Sequence, residues 1–382
     1  MKNSNRVVLF KCTDYNAELI KEKITAGYNL LGFDIKKLEK KKILLKPNLL
    51  KAADYSKAVT THPVFFDAVI EFIKPFAAEI CYGDSPGIGK SSQVAKKSGL
   101  EAVAEKHSIK FCAFETKKTF HLDKYLFAKR FSIDPVIKNV DLIINLPKLK
   151  THGMTFLTGA LKNIYGVIPG LEKASLHFKI SDESDFLKML VDLNRLVKPD
   201  LTIMDGILAM EGNGPGAGTP YPLHVIIMGT NSVCVDTVAA ALIGYRPEKI
   251  PMLQVAAESG LGTNNLSEIE ILGDKLEPLV KNSFLKIRKV SNDVRIIPGQ
   301  IGKIIKSVLI PVPVINKKKC TKCGDCIKIC PVPGKALFRK NKNNIPKYDY
   351  YKCIRCYCCQ EICPFEAISL KRSFFKGSLG KY

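Results

Sequence analysis

Eight cysteines near the C-terminal end fall into two runs of one pattern. Cys320, Cys323, Cys326 and Cys330 are followed by Pro331, and Cys353, Cys356, Cys359 and Cys363 by Pro364, so C-x2-C-x2-C-x3-C-P occurs twice. The short intervals let three thiolates of one tight turn converge on one face of a cubane, while the fourth, beyond that turn, ligates the other cluster. The spacing therefore pairs Cys320, Cys323 and Cys326 with Cys363, and Cys353, Cys356 and Cys359 with Cys330. Zinc sites of four cysteines also use C-x2-C pairs, but zinc gives no reason for three cysteines at equal intervals before Cys-Pro, twice over. Two [4Fe–4S] clusters are the expected cofactors. Their chemistry is one-electron conduction, at potentials anywhere between roughly −700 and +450 mV. Cys358 lies outside the spacing and reads as a free thiol. Cys12, Cys81, Cys112 and Cys234 sit in or beside apolar strands, where buried thiols are the ordinary outcome.

Three other stretches hold reactive side chains. NLPKLKTHGMTFLTGALKNIYGVIPG (145–170) gathers Lys148, Lys150, His152, Lys162 and Asn163 just beyond an apolar strand, and strand C-termini are where open α/β sheets place their sites. His152 and Lys162 would be separated by about 15 Å on a continuous helix; Gly153 breaks that geometry and lets both face one ligand. The plain alternative for several lysines is a solvated edge. GDSPGIGKSS (83–92) lies between a strand and a helical stretch, as a phosphate-binding turn would. Asp84 stands where a Walker A pattern has its first glycine, so an ordinary turn is favoured, with Asp84 as a candidate ligand or general base. EGNGPGAGTP (211–220) leads toward a strand rather than a helix and is not a dinucleotide fingerprint. Its small residues allow close approach of backbone to a substrate beside Asp205, Glu211 and Asn213, or else form a surface loop.

The elements that must position these groups alternate. Strand candidates are 6–12, 41–46, 78–83, 109–114, 141–146, 200–205, 223–229 and 269–273; helical periodicity appears in 15–31, 63–73, 99–107, 182–197 and 235–244. Such alternation predicts an α/β domain with a largely parallel sheet over 1–283. A basic, apolar segment punctuated by Pro298, Gly299, Pro311 and Pro313 is expected to link it, over 284–316, to a small C-terminal α+β ferredoxin-like two-cluster domain, 317–382. That segment reads as packing between domains in preference to lying on a membrane surface. No stretch approaches the roughly 18 apolar residues of a membrane span. The N-terminal apolar run, Val7 to Phe10, is too short for a signal-peptide core, so a cytoplasmic location is expected.

From Lys317 onward there are 16 basic residues against 4 acidic, a surplus that would attract an acidic electron-carrier protein. Only 9 of the 59 basic residues are arginine. Because arginine supplies the bidentate forks of base and phosphate recognition, nucleic acid is not an expected partner.

KPNLL (46–50), TTHP (60–63), GDSPG (83–87), the 145–166 stretch, PDLTIMDGILAMEGNGP (199–215) and VDTVAAALIGY (235–245) together resemble the domain of unknown function 362 family. The order of the motifs carries the likeness across residues 5–262, and residues 317–370 resemble two-[4Fe–4S] bacterial ferredoxins. The resemblance implies an iron–sulfur protein with a redox role. By motif position it places Lys46, Asn48, His62, Asp84, Lys150, His152, Lys162, Asn163, Asp205 and Glu211 at the family's site. A fainter similarity, over HGMTFLTGALK, is to nickel-pincer lactate racemases, in which a lysine ten residues after a histidine carries the cofactor; here the pair would be His152 and Lys162. The expected activity is an oxidoreductase passing low-potential electrons to a substrate or cofactor in the α/β domain. There Lys150, His152 and Lys162 would hold a small anionic substrate and Asp84 or Glu211 would move protons. The alternatives are a non-enzymatic electron carrier or assembly protein and a racemase-like isomerase.

Overall fold

The computed structural model describes residues 5–87, 89–170, 172–180, 182–287 and 311–371. Most of the expected linker, 288–310, lies outside the described residues. The strands are β1 (Arg6–Lys11), β2 (Lys42–Pro47), β3 (Glu79–Gly83), β4 (Lys110–Cys112), β5 (Lys118–His121), β6 (Arg130–Ile133), β7 (Leu142–Leu146), β8 (Lys148–His152), β9 (Phe156–Thr158), β10 (Leu201–Glu211), β11 (Thr219–Gly229), β12 (Glu270–Gly273), β13 (Val312–Ile315), β14 (Leu337–Phe338), β15 (Lys347–Tyr348) and β16 (Ile368–Lys371). Ten of them form one mixed, mostly parallel sheet in the order β12-β1-β11-β10-β7-β2-β3-β4, with β8 and β9 attached beside β10. The antiparallel pairs are β1 with β11, β10 with β11, and β8 with β9.

The sheet is covered on both faces, and its central strands carry apolar side chains at successive positions, not only at alternate ones. Successive residues go to opposite cores. Val7, Leu9, Leu44, Ile143, Met204 and Ile227 pack on one face, under the helices Glu183–Val197, Ser232–Leu242 and Pro251–Glu258. Val8, Ile43, Leu45, Ile144, Ile203 and Ile226 pack on the other, under Ala17–Leu30, Pro63–Ile73 and Leu100–His107. The Pro63–Ile73 helix opens on His62, whose Nδ1 accepts the Val64 N–H at 3.2 Å. The strands expected at 200–205 and 223–229 each run to 11 residues, and the glycine-rich segment after Glu211 joins them as a hairpin connection.

In the cysteine module β13 pairs with β16 and β14 with β15. Two five-residue helices, Asp325–Ile329 and Cys358–Ile362, pack against each other, and each ends at a Cys-Pro step. Each is entered through a residue with positive φ, Gly324 and Tyr357, which turns the cysteine loop inward. The module is anchored on the sheet domain by polar bonds. Lys51 Nζ donates to Cys363 O at 2.7 Å, Gln360 Nε2 to Asn213 O at 2.8 Å, and Asn213 Nδ2 to Ile368 O at 3.1 Å. Among the described residues no helix is long and apolar enough to cross a membrane.

Candidate functional site

The fold brings together the cysteines that the spacing pairs. Cys320, Cys323, Cys326 and Cys363 line one small cavity with Ile315 and Ile368. Cys330 lies near Cys353, whose neighbours also include Cys356, and Cys359 lies close to both. The sulfurs are placed to act as thiolate acceptors: Ala336 N–H donates to Cys330 Sγ at 3.4 Å, Ala367 N–H to Cys363 Sγ at 3.3 Å, and the Tyr348 hydroxyl lies 3.3 Å from Cys359 Sγ. Among the described residues, no three of these sulfurs lie within 4.8 Å of one another.

Beyond the carboxyl ends of β2, β3 and β7 lies a cavity of about 80 Å³. Its polar wall comes from the sheet domain, including Asn48, Asp84, Lys150, His152, Lys162 and Asn163. The opposite wall is the cysteine module: Ile329, Cys358, Glu361 and Ile362. The amide of Asn163 ties the strand ends together. It donates to Lys46 O at 3.1 Å and to Asn145 Oδ1 at 2.8 Å, and its oxygen accepts from Asn48 at 2.9 Å. Lys46 pairs with Asp84 at 2.8 Å, and Asp84 also accepts the N–H groups of Leu49 and Ser85. Its oxygens are thus occupied by a cation and two amides, which makes Asp84 a positioning group. Gly166 belongs to this arrangement, since a Cβ there would overlap Asp84 and Lys46.

Lys150 Nζ donates to Asn48 Oδ1 and Val59 O, both at 2.7 Å. Lys173, on the Glu172–Lys179 helix, donates to Ser85 O, Ser85 Oγ and Ile168 O. Burial brings both ammoniums down to about 7, reinforced by the Lys148 charge for Lys150 and opposed by Asp84 for Lys173. Burial also lowers His177 to about 3, so this cavity residue is neutral. Burial pushes the Glu361 carboxyl up, but its bond to His152 (3.1 Å) and the charge of Lys162 hold it down at about 2.

Other expected site residues lie elsewhere. Asp205 and Lys148 form a fully buried ion pair at 2.8 Å, with the Tyr15 hydroxyl bonded to both. His62 donates its backbone N–H to Asp205 and stacks on Tyr15, with ring centroids 3.5 Å apart. Neither His62 nor Asp205 is among the residues lining the 80 Å³ cavity. Glu211 is also outside it: its carboxylate accepts the Leu285 N–H at 2.7 Å, so it holds the chain beyond the sheet domain and has no proton-moving position in the cavity. Cys358, expected as a free thiol, is a buried part of the cavity wall. Sequence reasoning passed over Thr158, Tyr165, Lys173, His177 and Glu361. The i,i+4 spacing of Lys173 and His177, which sets both on one helix face, was the available signal for those two. Nothing in the sequence signalled Glu361, because its role depends on how the module docks.

A doubly covered α/β sheet carrying this cysteine module defines an iron–sulfur protein of two fused domains. Residues 312–364 match the profile described as a 4Fe-4S dicluster domain. Residues 43–241 match the one described as Domain of unknown function (DUF362), and the chain belongs to that family. The thylakoid-associated protein sll1697 of Synechocystis is 32% identical over 224 residues, which cover 58% of this chain and 68% of that protein. Two solved structures are similar over part of the chain. A Thermotoga maritima protein from structural genomics has 13% identity and a TM-score of 0.38, the match covering 61% of this chain and 60% of that one. The lactate racemase apoprotein of Thermoanaerobacterium thermosaccharolyticum has 14% identity and a TM-score of 0.39, the match covering 60% and 56%. The chain thus spans less than two thirds of either.

Proposed function

We propose that the chain is an oxidoreductase in which two [4Fe–4S] clusters serve a small anionic substrate held in the interdomain cavity. One observation carries this reading. The short helix bearing Cys358, Cys359 and Ile362, which ends at Cys363, is itself a wall of the cavity that Lys150, His152 and Lys162 line. Bound by the eight cysteines, the clusters supply one-electron transfer. The residues then divide the labour by position. Cys330, Cys353, Cys356 and Cys359 are the set on the cavity side, flanked by its wall residues Ile329 and Cys358. Cys320, Cys323, Cys326 and Cys363 form the outward set, in which Cys323 is exposed. Lys150 and Lys162 attract the anion, Asn48 and Asn163 hold the strand ends in register, and His152 and Glu361, 3.1 Å apart, are placed to hold or move a proton at the module boundary.

The test is anaerobic turnover with reduced protein and candidate acceptors, comparing wild type with Lys150→Met and His152→Ala. Loss of turnover in both with iron content retained supports the reading; unchanged turnover in both makes the protein an electron carrier whose α/β domain serves docking.

Two further results are expected. Lys150 and Lys173 are charged below about 7 and neutral above it. Anion affinity should therefore be greatest in mild acid and fall as pH rises, by up to about tenfold per unit for each required proton. Titration with formate between pH 6 and 9 checks this, and an affinity that rises with pH contradicts it. At the outward set, Lys317, Lys318, Lys319 and Lys322, all exposed, precede the exposed Cys323 within six residues. The rate of reduction by an acidic carrier protein should fall on the order of tenfold or more from low to high salt. Lys319→Glu with Lys322→Glu should reproduce that loss at low salt, in stopped-flow traces with cluster absorbance unchanged.

A further inference from the structure

Building on the reading of the cavity as a substrate site, we infer that its ligand is a short-chain carboxylate, with its head on Lys162 and Thr158 and its carbon tail toward the cysteine module. Lys162 is nine-tenths buried, yet among the described residues its ammonium makes no hydrogen bond or ion pair; the Tyr165 ring, 4.4 Å from Nζ, is its aromatic contact. The hydroxyl of Thr158, on the same cavity, is buried without a partner. Buried polar groups are ordinarily satisfied, so an unclaimed ammonium and an unclaimed hydroxyl on one cavity mark where an acceptor belongs. Lys150 and Lys173 differ, because they already spend donors on protein carbonyls and side chains.

Size and wall chemistry narrow the class. At roughly 10–15 Å³ per water-sized group, a cavity of 80 Å³ holds about five to eight such groups, too few for a nucleotide. Beside its polar groups the cavity has an aliphatic part, from Leu50, Ala174, Pro215, Ile329 and Ile362. That part matches a hydrocarbon tail and would leave an anionic group placed against it unsolvated. Direction follows from which domain supplies each wall. Lys162 and Thr158 belong to the sheet domain, whereas Ile329 and Ile362 belong to the module. Glu361, the acidic side chain of the module wall, is turned to His152 at 3.1 Å.

The experiment is calorimetric titration of the full, cluster-loaded chain in its oxidised state with butyrate, inorganic phosphate and AMP. Butyrate is expected to bind about tenfold or more tightly than either of the others, and Lys162→Met to lower its affinity by a similar factor. Thr158→Val, which removes an unsatisfied buried hydroxyl at nearly constant shape, should leave the melting temperature and iron content intact while weakening butyrate severalfold. Phosphate or AMP binding as tightly as butyrate overturns the inference, as does unchanged butyrate affinity in both variants. No electron enters this titration, so its failure is distinguishable from failure of the electron-delivery reading, which turnover tests separately.

Discussion

Replacing Cys356 with serine is expected to reduce turnover to the background rate and to cut the iron content by about half, from about eight to about four per chain. Cys356 belongs to the set beside the cavity, and its loss removes electron delivery while leaving the cavity's own residues in place. Cys330→Ser should give the same result although Cys330 lies in the first run, because the spacing assigns it to Cys353, Cys356 and Cys359 and Cys353 is its neighbour in the fold. Butyrate binding should survive both substitutions. Iron analysis, visible absorbance and anaerobic turnover check this together. If Cys330→Ser resembled Cys320→Ser in the cluster it destroys, the crossed pairing of ligands would be wrong.

Gly216→Val is the second large effect. A Cβ at Gly216 would overlap the carbonyl oxygen of Glu361 and press on Lys51 Nζ at 3.2 Å, and both obstacles belong to the contact between domains. Backbone cannot yield as the end of a side chain can, so the module must shift. A misplacement of about 1 Å at a reacting centre costs on the order of a hundredfold in rate. Turnover should therefore collapse with both clusters present and reducible by dithionite. Gly212→Ala is the control, since nothing lies within 4 Å of a Cβ at that position, although its positive φ adds local strain. Full turnover in Gly216→Val would show that docking of the module does not matter for the reaction.

The α/β character and the cluster ligands were legible from the chain because both are written in local spacing. The apolar runs of β2, β7 and β11 extend over a strand's length, and the cysteine intervals are fixed by one turn. The hairpin of β5 and β6 was not legible, since KTFH and RFSI are only four residues each, and KTFH is largely exposed, although RFSI alternates and buries Phe131 and Ile133. The candidate site was half legible. Asn48 and Asp84 sit just past the carboxyl ends of β2 and β3, Lys150 and His152 lie on β8, and Lys162 and Asn163 lie on the short helix Ala160–Asn163 that follows β9. Asp205, His62 and Glu211 have the same residue chemistry but are consumed by Lys148, Tyr15 and the Leu285 amide, partners far away in sequence. Glu361 and Cys358 reach the cavity only because Lys51, Asn213 and Gln360 dock the module. Such a contact leaves no periodic trace in either domain.

The most direct measurement is iron, sulfide and zinc analysis of anaerobically purified protein, with electron paramagnetic resonance of the dithionite-reduced chain, alone and with butyrate. Two clusters beside an interdomain cavity predict about eight irons per chain and a spin-coupled reduced signal. Butyrate should perturb that signal, and should still do so in Cys320→Ser, where the cavity-side set is intact. Zinc in place of iron, or a two-cluster signal indifferent to a ligand that demonstrably binds, would contradict the coupling of cluster and cavity on which the proposed function rests.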